Sequence, residues 1–375
     1  MNVVVDGIIY QIQSNGGISR LYTEILPRMC DIDESMNIRL LTGEKLKQRL
    51  PKHSRITYRA LPLIERYLRP GRIWKPIVPR ANAIVQRLWA GRGTGKIWHS
   101  TYYTLPGKWD GMQVVTIVDM IHERFTELYD KPENEQFRER KRKCVLAADA
   151  VICISEATRQ DVQHLYGIDL GRIQVIPLAH SDVFKTIKNN ELLPPPVDRP
   201  FLLYVGSRTH HKNFDGLLNA YRIWVGRKEV DLVVVSENWS AHDERHLARL
   251  RMRDRVHLVG NIADVRLCHL YNHATAFVYP SLFEGFGIPV LEAMACGCPV
   301  VASRIPSTIE VAGECPIYFE PTQVESLLDA LDVALFERRD SARVQAGLKH
   351  VKRYSWDKTA RQTLDVYREL YGNNE

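Results

Sequence analysis

Short apolar runs alternate with amphipathic stretches along most of the chain. Residues 3–5, 38–41, 114–118 and 150–154 read as strands of one sheet, and 201–205, 231–235, 256–259, 276–279 and 300–302 as strands of another. Helical periodicity occupies 18–30, 132–147, 213–224, 265–272 and 289–296. A last amphipathic helix runs from about Trp356 to Tyr371. Strands alternating with helices predict an α/β chain with two Rossmann-like, doubly wound, mostly parallel sheets facing a cleft. Pro194–Pro196, followed by Pro200, interrupts the alternation and predicts a hinge. The expected organisation is a domain over 1–190, a Pro-rich linker over 191–200, a second domain over 201–355 and a C-terminal helix over 356–375.

A length of 375 residues is too great for one ordinary core, which agrees with two domains. No run of 18 apolar residues exists, so no spanning helix is expected. The opening Met-Asn-Val-Val-Val-Asp lacks a basic leader region and reads as a first strand. The seven cysteines are scattered and odd in number, with no CxxC pair. They predict neither a disulfide framework nor zinc, and fit a reducing cytoplasm.

The net charge of +7 is unevenly spread. Residues 39–96 carry 15 Lys and Arg against only Glu44 and Glu65, interleaved with Leu, Ile and Trp. Three readings stay open. The segment rests on an anionic leaflet, at roughly 1 kcal/mol per basic residue near the surface; it meets nucleic acid; or it is a solvated face. Its prolines rule out one long amphipathic helix. The usual nucleic-acid recognition motifs are missing, so no nucleic-acid partner is expected.

Three motifs fall at predicted strand ends, where open α/β sheets bind ligands. Ser14-Asn-Gly16-Gly17-Ile-Ser opens the first long helix; paired glycines there suit either a backbone approach to an anion or a plain turn. Gly206-Ser-Arg208-Thr-His-His-Lys212-Asn follows the strand 201–205 and places two cations where a diphosphate would fit, Arg208 as a planar fork and Lys212 as a point charge. Side-chain neutralisation of that kind makes a metal dispensable. The third motif is the most specific: Phe283-Glu284-Gly-Phe286-Gly287-Ile288-Pro289-Val-Leu-Glu292. Pro289 suits a helix first turn and Gly297 its far end. Glu284 then lies in the glycine loop and Glu292 in the helix, two carboxylates fit to hold paired hydroxyls. Asp31-Ile-Asp33 sits at a helix end and reads as surface charge rather than a metal motif.

The run from Glu284 to Glu292 resembles the Glu–seven residues–Glu motif of retaining, family-4-type (group 1) glycosyltransferases of the GT-B fold. The similarity extends to Gly16-Gly17, Val151–Asp161, Val175-Ile-Pro177, the Gly206–Asn213 block, Pro306–Gly313 and Tyr354-Ser-Trp356. Within the family the likeness is to mannosyltransferases of O-antigen and exopolysaccharide assembly. By that resemblance Arg208 and Lys212 bind the donor diphosphate and stabilise the leaving group. Glu292 holds the ribose and Glu284 the donor sugar. Gly206, Phe286, Gly287 and Ile288 line the pocket, and Val259 lies against the base. Gly16 and Gly17 approach from the other domain, and the C-terminal helix crosses back to that domain.

Relatives commonly carry a His followed by Asp after the strand at 114–118; here Val118 precedes Asp119. Asp119, with His122 or His99, is therefore the expected acceptor-side group. The resemblance implies transfer of a hexose, mannose from GDP-mannose in the first instance, to a lipid-linked oligosaccharide or glycan hydroxyl at the inner membrane face, without metal. A UDP-sugar donor, a sugar-nucleotide epimerase and a non-catalytic basic binding protein are the alternatives.

Overall fold

The computed structural model describes residues 1–14, 16–43, 45–61 and 93–372. The chain divides into two units, one of Met1–Leu178 with Trp356–Glu375 and one of Ala179–Ser355.

The first unit is built on β1 (Asn2–Asp6), β2 (Asn37–Gly43), β3 (Ile56–Leu61), β4 (Lys96–Ser100), β5 (Met112–Ile117), β6 (Ala150–Cys153) and β7 (Ile173–Val175). They form one parallel sheet in the order β3-β2-β1-β4-β5-β6-β7. Val3, Val4 and Val5 are all buried, as expected where helices cover both faces of a parallel sheet. Ser155 starts the helix Glu156–Tyr166 by accepting the Thr158 N–H, and Gly167 closes it in the left-handed conformation. The helix Trp356–Gly372 packs on Gly17–Ile32. Arg28 pairs with Asp357 at 2.9 Å, and the Thr359 hydroxyl donates to the Pro177 carbonyl at 2.7 Å. The Tyr371 hydroxyl accepts the Asn2 N–H at 3.0 Å and reaches the Gly95 carbonyl at 2.8 Å.

The second unit contains β8 (Phe201–Val205), β9 (Asp231–Val235), β10 (Val256–Leu258), β11 (Ala276–Tyr279), β12 (Val300–Ser303) and β13 (Ile317–Phe319), again parallel, in the order β10-β9-β8-β11-β12-β13. Leu202, Leu232, Val234, Val278 and Val301 belong to a core with Phe214, Leu217, Tyr221, Trp224 and Leu331. The Trp224 indole N–H is satisfied by Asp332 at 2.6 Å. Residues before the proline cluster are laced to the helix Asp264–His273: Asn272 accepts the Ile187 N–H and donates to the Lys185 carbonyl, both at 2.9 Å.

Strands β3, β4, β7 and β13 were not in the predicted set. The first two mix polar and apolar residues, and the last two are only three residues long. Each sheet reverses its strand order once, between β1 and β4 and between β8 and β11. Such reversals open a crevice at the carboxyl ends of the flanking strands. All seven cysteines are unpaired. Among the described residues no helix is long and apolar enough to cross a membrane. The centre of the basic 39–96 segment, residues 62–92, lies outside the described residues, as do Asn15 and Glu44.

Candidate active site

The reversal between β8 and β11 gathers the cationic loop and the glycine–glutamate loop. After Val205 the chain turns at Gly206, whose φ of 144° is a conformation that side-chain-bearing residues rarely adopt. The Tyr204 hydroxyl pins the turn by donating to the Ser207 carbonyl at 2.5 Å. Leu282 N–H donates to the His211 carbonyl at 2.7 Å, joining the two loops. Lys212 Nζ then sits 2.6 Å from Glu284 Oε1, and the Ser281 hydroxyl donates to the same oxygen at 2.6 Å. The Lys212 ammonium also lies 5.7 Å from the Tyr279 ring centroid, a cation–π distance. Burial, and then the Glu284 charge, push the Tyr279 hydroxyl well above its ordinary pKa, so it stays protonated.

Arg208 points elsewhere. Its Nε donates to Asp243 at 3.1 Å, and its two terminal nitrogens donate to the Glu237 and Asn238 carbonyls at 3.0 and 2.8 Å. The guanidinium lies 4.8 Å over Trp239. Asp243 is the N3 residue of the capping box that Ser240 opens on the helix Ala241–Leu250, so Arg208 is tied to a rigid helix end. The two cations are four residues apart in sequence but engage different partners.

Gly287, at φ 119°, starts the helix Ile288–Ala295, with Pro289 in its first turn, and Gly297 at φ 63° follows its end. Glu292 is buried on this helix and accepts the Tyr271 hydroxyl at 3.4 Å. Phe286 and Ile288 are buried, and Phe286 meets Tyr354 edge-on. Val259 continues the β9–β10 ladder by donating its N–H to the Val234 carbonyl at 2.9 Å.

In the first unit Gly16 caps the helix Gly17–Ile32 in extended backbone, and the Gln13 side chain accepts the Ser19 N–H at 3.2 Å. His99 is wholly enclosed. One ring nitrogen meets the Tyr367 hydroxyl; the other meets the hydroxyls of Thr116 at 2.8 Å and Tyr22 at 3.3 Å. Burial lowers its pKa to about 3, so the ring is neutral and belongs to the packing of the C-terminal helix. Asp119 is half-buried in the loop after β5, its carboxylate accepting the Ile121 N–H at 3.1 Å. His122 lies 4.5 and 4.6 Å from the Tyr129 and Phe137 ring centroids, and its buried Nδ1 has no hydrogen-bond partner among the described residues. Burial, reinforced by the Lys141 charge, lowers its pKa.

Sequence reasoning missed Asp243, Tyr271 and Lys141. Asp243 carries a visible capping-box signal, Ser240 followed three residues later by a carboxylate. Lys141 lies amid Phe137, Cys144, Val145 and Ala148 at helical spacing, the one signal that it faces inward.

Two parallel α/β units, each with one reversal of strand order, are the architecture of the GT-B fold. The model for glycosyl transferases group 1 matches residues 186–349, and that for glycosyltransferase family 4 matches 43–179. The chain is 27% identical to O-antigen chain mannosyltransferase B of Escherichia coli, over 94% of this chain and 96% of that protein. It is 30% identical to a D-inositol 3-phosphate glycosyltransferase of Xylanimonas cellulosilytica, over 76% of this chain and 75% of that one. The structure of sucrose-phosphate synthase from Thermosynechococcus elongatus superposes with a TM-score of 0.79 at 19% identity, covering 100% of both chains. The chain belongs to the family-4, group 1 glycosyltransferases, which are retaining enzymes of the GT-B fold.

Proposed function

We propose that this enzyme transfers mannose from GDP-mannose to a hydroxyl of a lipid-linked oligosaccharide or glycan, in the cytoplasm at the inner membrane face. The observation carrying this reading is the end-to-end likeness to an O-antigen chain mannosyltransferase. In this reading residues 1–190 form the acceptor side, 191–200 the linker, and 201–355 the nucleotide-sugar side. Residues 356–375 serve the acceptor side. The basic 39–96 segment meets anionic lipid; flotation with anionic liposomes at low salt checks that contact, and failure to float removes it.

The Lys212–Glu284 pair supports a division of labour. In the structure each neutralises the other. An incoming sugar diphosphate supplies Lys212 with phosphate oxygens and Glu284 with sugar hydroxyls, so both groups stand in position beforehand. Lys212 then stabilises the charge that grows on the departing diphosphate. Arg208 gives up a carbonyl partner to join it. Glu292 holds the ribose, Gly206, Phe286, Gly287 and Ile288 line the sugar pocket, and Val259 borders the base. Gly16 and Gly17 supply backbone donors. Asp119 and His122 receive the acceptor hydroxyl, and front-face attack retains configuration.

A thermal-shift panel of GDP-mannose, UDP-glucose and ADP-glucose tests the donor, because a ligand that binds only the folded chain raises its apparent stability. GDP-mannose is expected to give the largest shift. A shift with UDP-glucose and none with GDP-mannose would overturn the donor assignment.

A further inference from the structure

The segment after β5, Asp119 followed by the short helix Ile121–Arg124 that carries His122, packs on the helix Pro132–Ala147. Lys141 Nζ donates to the Asp119 carbonyl at 3.1 Å and to Glu123 Oε2 at 2.8 Å. The other Glu123 oxygen accepts the Tyr166 hydroxyl at 2.8 Å. The ammonium is nearly sealed from solvent, its side chain 1% exposed and that of Glu123 7%. Tyr103 and Phe137 flank it, with ring centroids 5.2 and 5.3 Å away. One turn earlier on the same helix, Arg138 donates to the Tyr129 carbonyl at 2.8 Å and lies 3.5 Å from the His122 carbonyl. Two cations of one helix thus take up carbonyls of residues 119, 122 and 129.

We propose that Lys141 is a positioning residue for sugar transfer: paired with Glu123, it fixes the backbone of the Asp119–His122 loop against the acceptor. This rests on the reading of Asp119 and His122 as acceptor-side groups. The physical case is that a buried ion pair is a poor device for stability alone. Well-packed apolar residues of similar volume commonly serve as well or better. A lysine sealed between two rings instead fixes one loop geometry, because its carbonyl and carboxylate partners satisfy it only when the loop lies in one place. Arg138 reaches the carbonyls of residues 122 and 129 but not that of residue 119, which Lys141 takes up.

Lys141 does not touch substrate, so its loss acts through the position of Asp119. A misplacement of about 1 Å at a reacting group costs roughly 100-fold in rate. The test measures kcat and acceptor KM in the full-length enzyme for Lys141→Met, Lys141→Arg, Glu123→Gln and Asp119→Asn, with donor-induced thermal shifts in parallel. Lys141→Met is expected to lower kcat about 100-fold while its donor-induced shift stays that of the wild type. Lys141→Arg, which keeps the charge, is expected to recover most of the rate. Glu123→Gln, nearly isosteric, lowers kcat in the same direction and serves if Lys141→Met does not fold. Wild-type kcat in Lys141→Met beside an inactive Asp119→Asn would overturn the positioning role. So would parallel losses of kcat, donor shift and melting temperature in both Lys141→Met and Glu123→Gln, since those mark general destabilisation. Full activity in Asp119→Asn would instead overturn the acceptor-side reading on which the proposal stands.

Discussion

The two sheets run in the same strand order and reverse at equivalent places, yet their reversal points are filled in opposite ways. Between β8 and β11 the loops present a cation and a carboxylate, Lys212 and Glu284, with the lysine side chain still 21% exposed. Between β1 and β4 the same position is plugged. Asp6, at the end of β1, is 3% exposed. It accepts the Thr101 N–H and the Ser100 hydroxyl, each at 2.9 Å, and the hydroxyls of Thr101 and Thr104. Strand order sets one reversal in each unit, and the side chains at the strand ends decide whether that point is exposed or sealed.

The largest test of that contrast is at the open reversal. Lys212→Ala and Glu284→Ala are each expected to lower kcat/KM about 1000-fold, the scale for losing one preorganised group at developing charge. Their double variant should be far from additive, because each residue is the other's partner in the free enzyme. Steady-state kinetics with labelled donor checks this, and full transfer by either single variant would remove the residue from the mechanism. At the sealed reversal the opposite is expected. Asp6→Asn should cost about 1–3 kcal/mol of stability, since it leaves buried hydroxyls facing an amide, an effect that burial of the Asp6 charge partly offsets. Urea unfolding of wild type and Asp6→Asn would show it, and a normal Asp6→Asn stability with lost turnover would reverse the assignment of the two reversal points.

The smallest effect is a pH dependence confined to the first unit. His99 is held neutral when folded, with its pKa near 3, but takes a proton near its ordinary 6.5 when unfolded. Through His99, acid favours the unfolded chain from pH 6.5 downward, while Asp6, whose pKa burial raises to about 6, acts in the opposite direction. Between pH 6.5 and 5 the loss through His99 amounts to roughly 1.5 kcal/mol. Denaturant midpoints of wild type and His99→Gln at the two pH values measure it; equal pH slopes would show that His99 carries none of it.

The glycine–glutamate loop and helix of the second unit were readable in the sequence because their residues are contiguous. Glu284, Gly287, Pro289 and Glu292 lie within nine residues, and the helix forms between Gly287 and Gly297 as the proline and glycine spacing predicts. The strand segments at 201–205, 231–235 and 276–279 coincide with the observed strands because each is a buried, nearly unbroken apolar run. What could not be read depends on distant partners. Arg208 follows the expected turn, but its direction is set by Asp243, thirty-five residues on. Asp6 looks like an ordinary turn residue until Ser100, Thr101 and Thr104 close over it. Lys141 sits in the run Arg138-Glu-Arg-Lys-Arg-Lys143, where composition marks every residue as solvated. His99 follows a strand and so resembled a site residue; the Tyr367 hydroxyl that encloses it comes from 268 positions later.

That last contact bears on how the chain comes to be folded during synthesis. The helix Gly17–Ile32 is made more than 320 residues before the helix Trp356–Gly372 that covers it. At about 5–20 residues per second the gap lasts tens of seconds. Throughout it, the surface that Tyr367 and Leu364 will bury, and the His99 ring beneath, have no cover. The second unit has no such dependence, since all its strands are complete before Trp356 is added. The second unit is thus free to finish first, and the first unit waits with that flank uncovered.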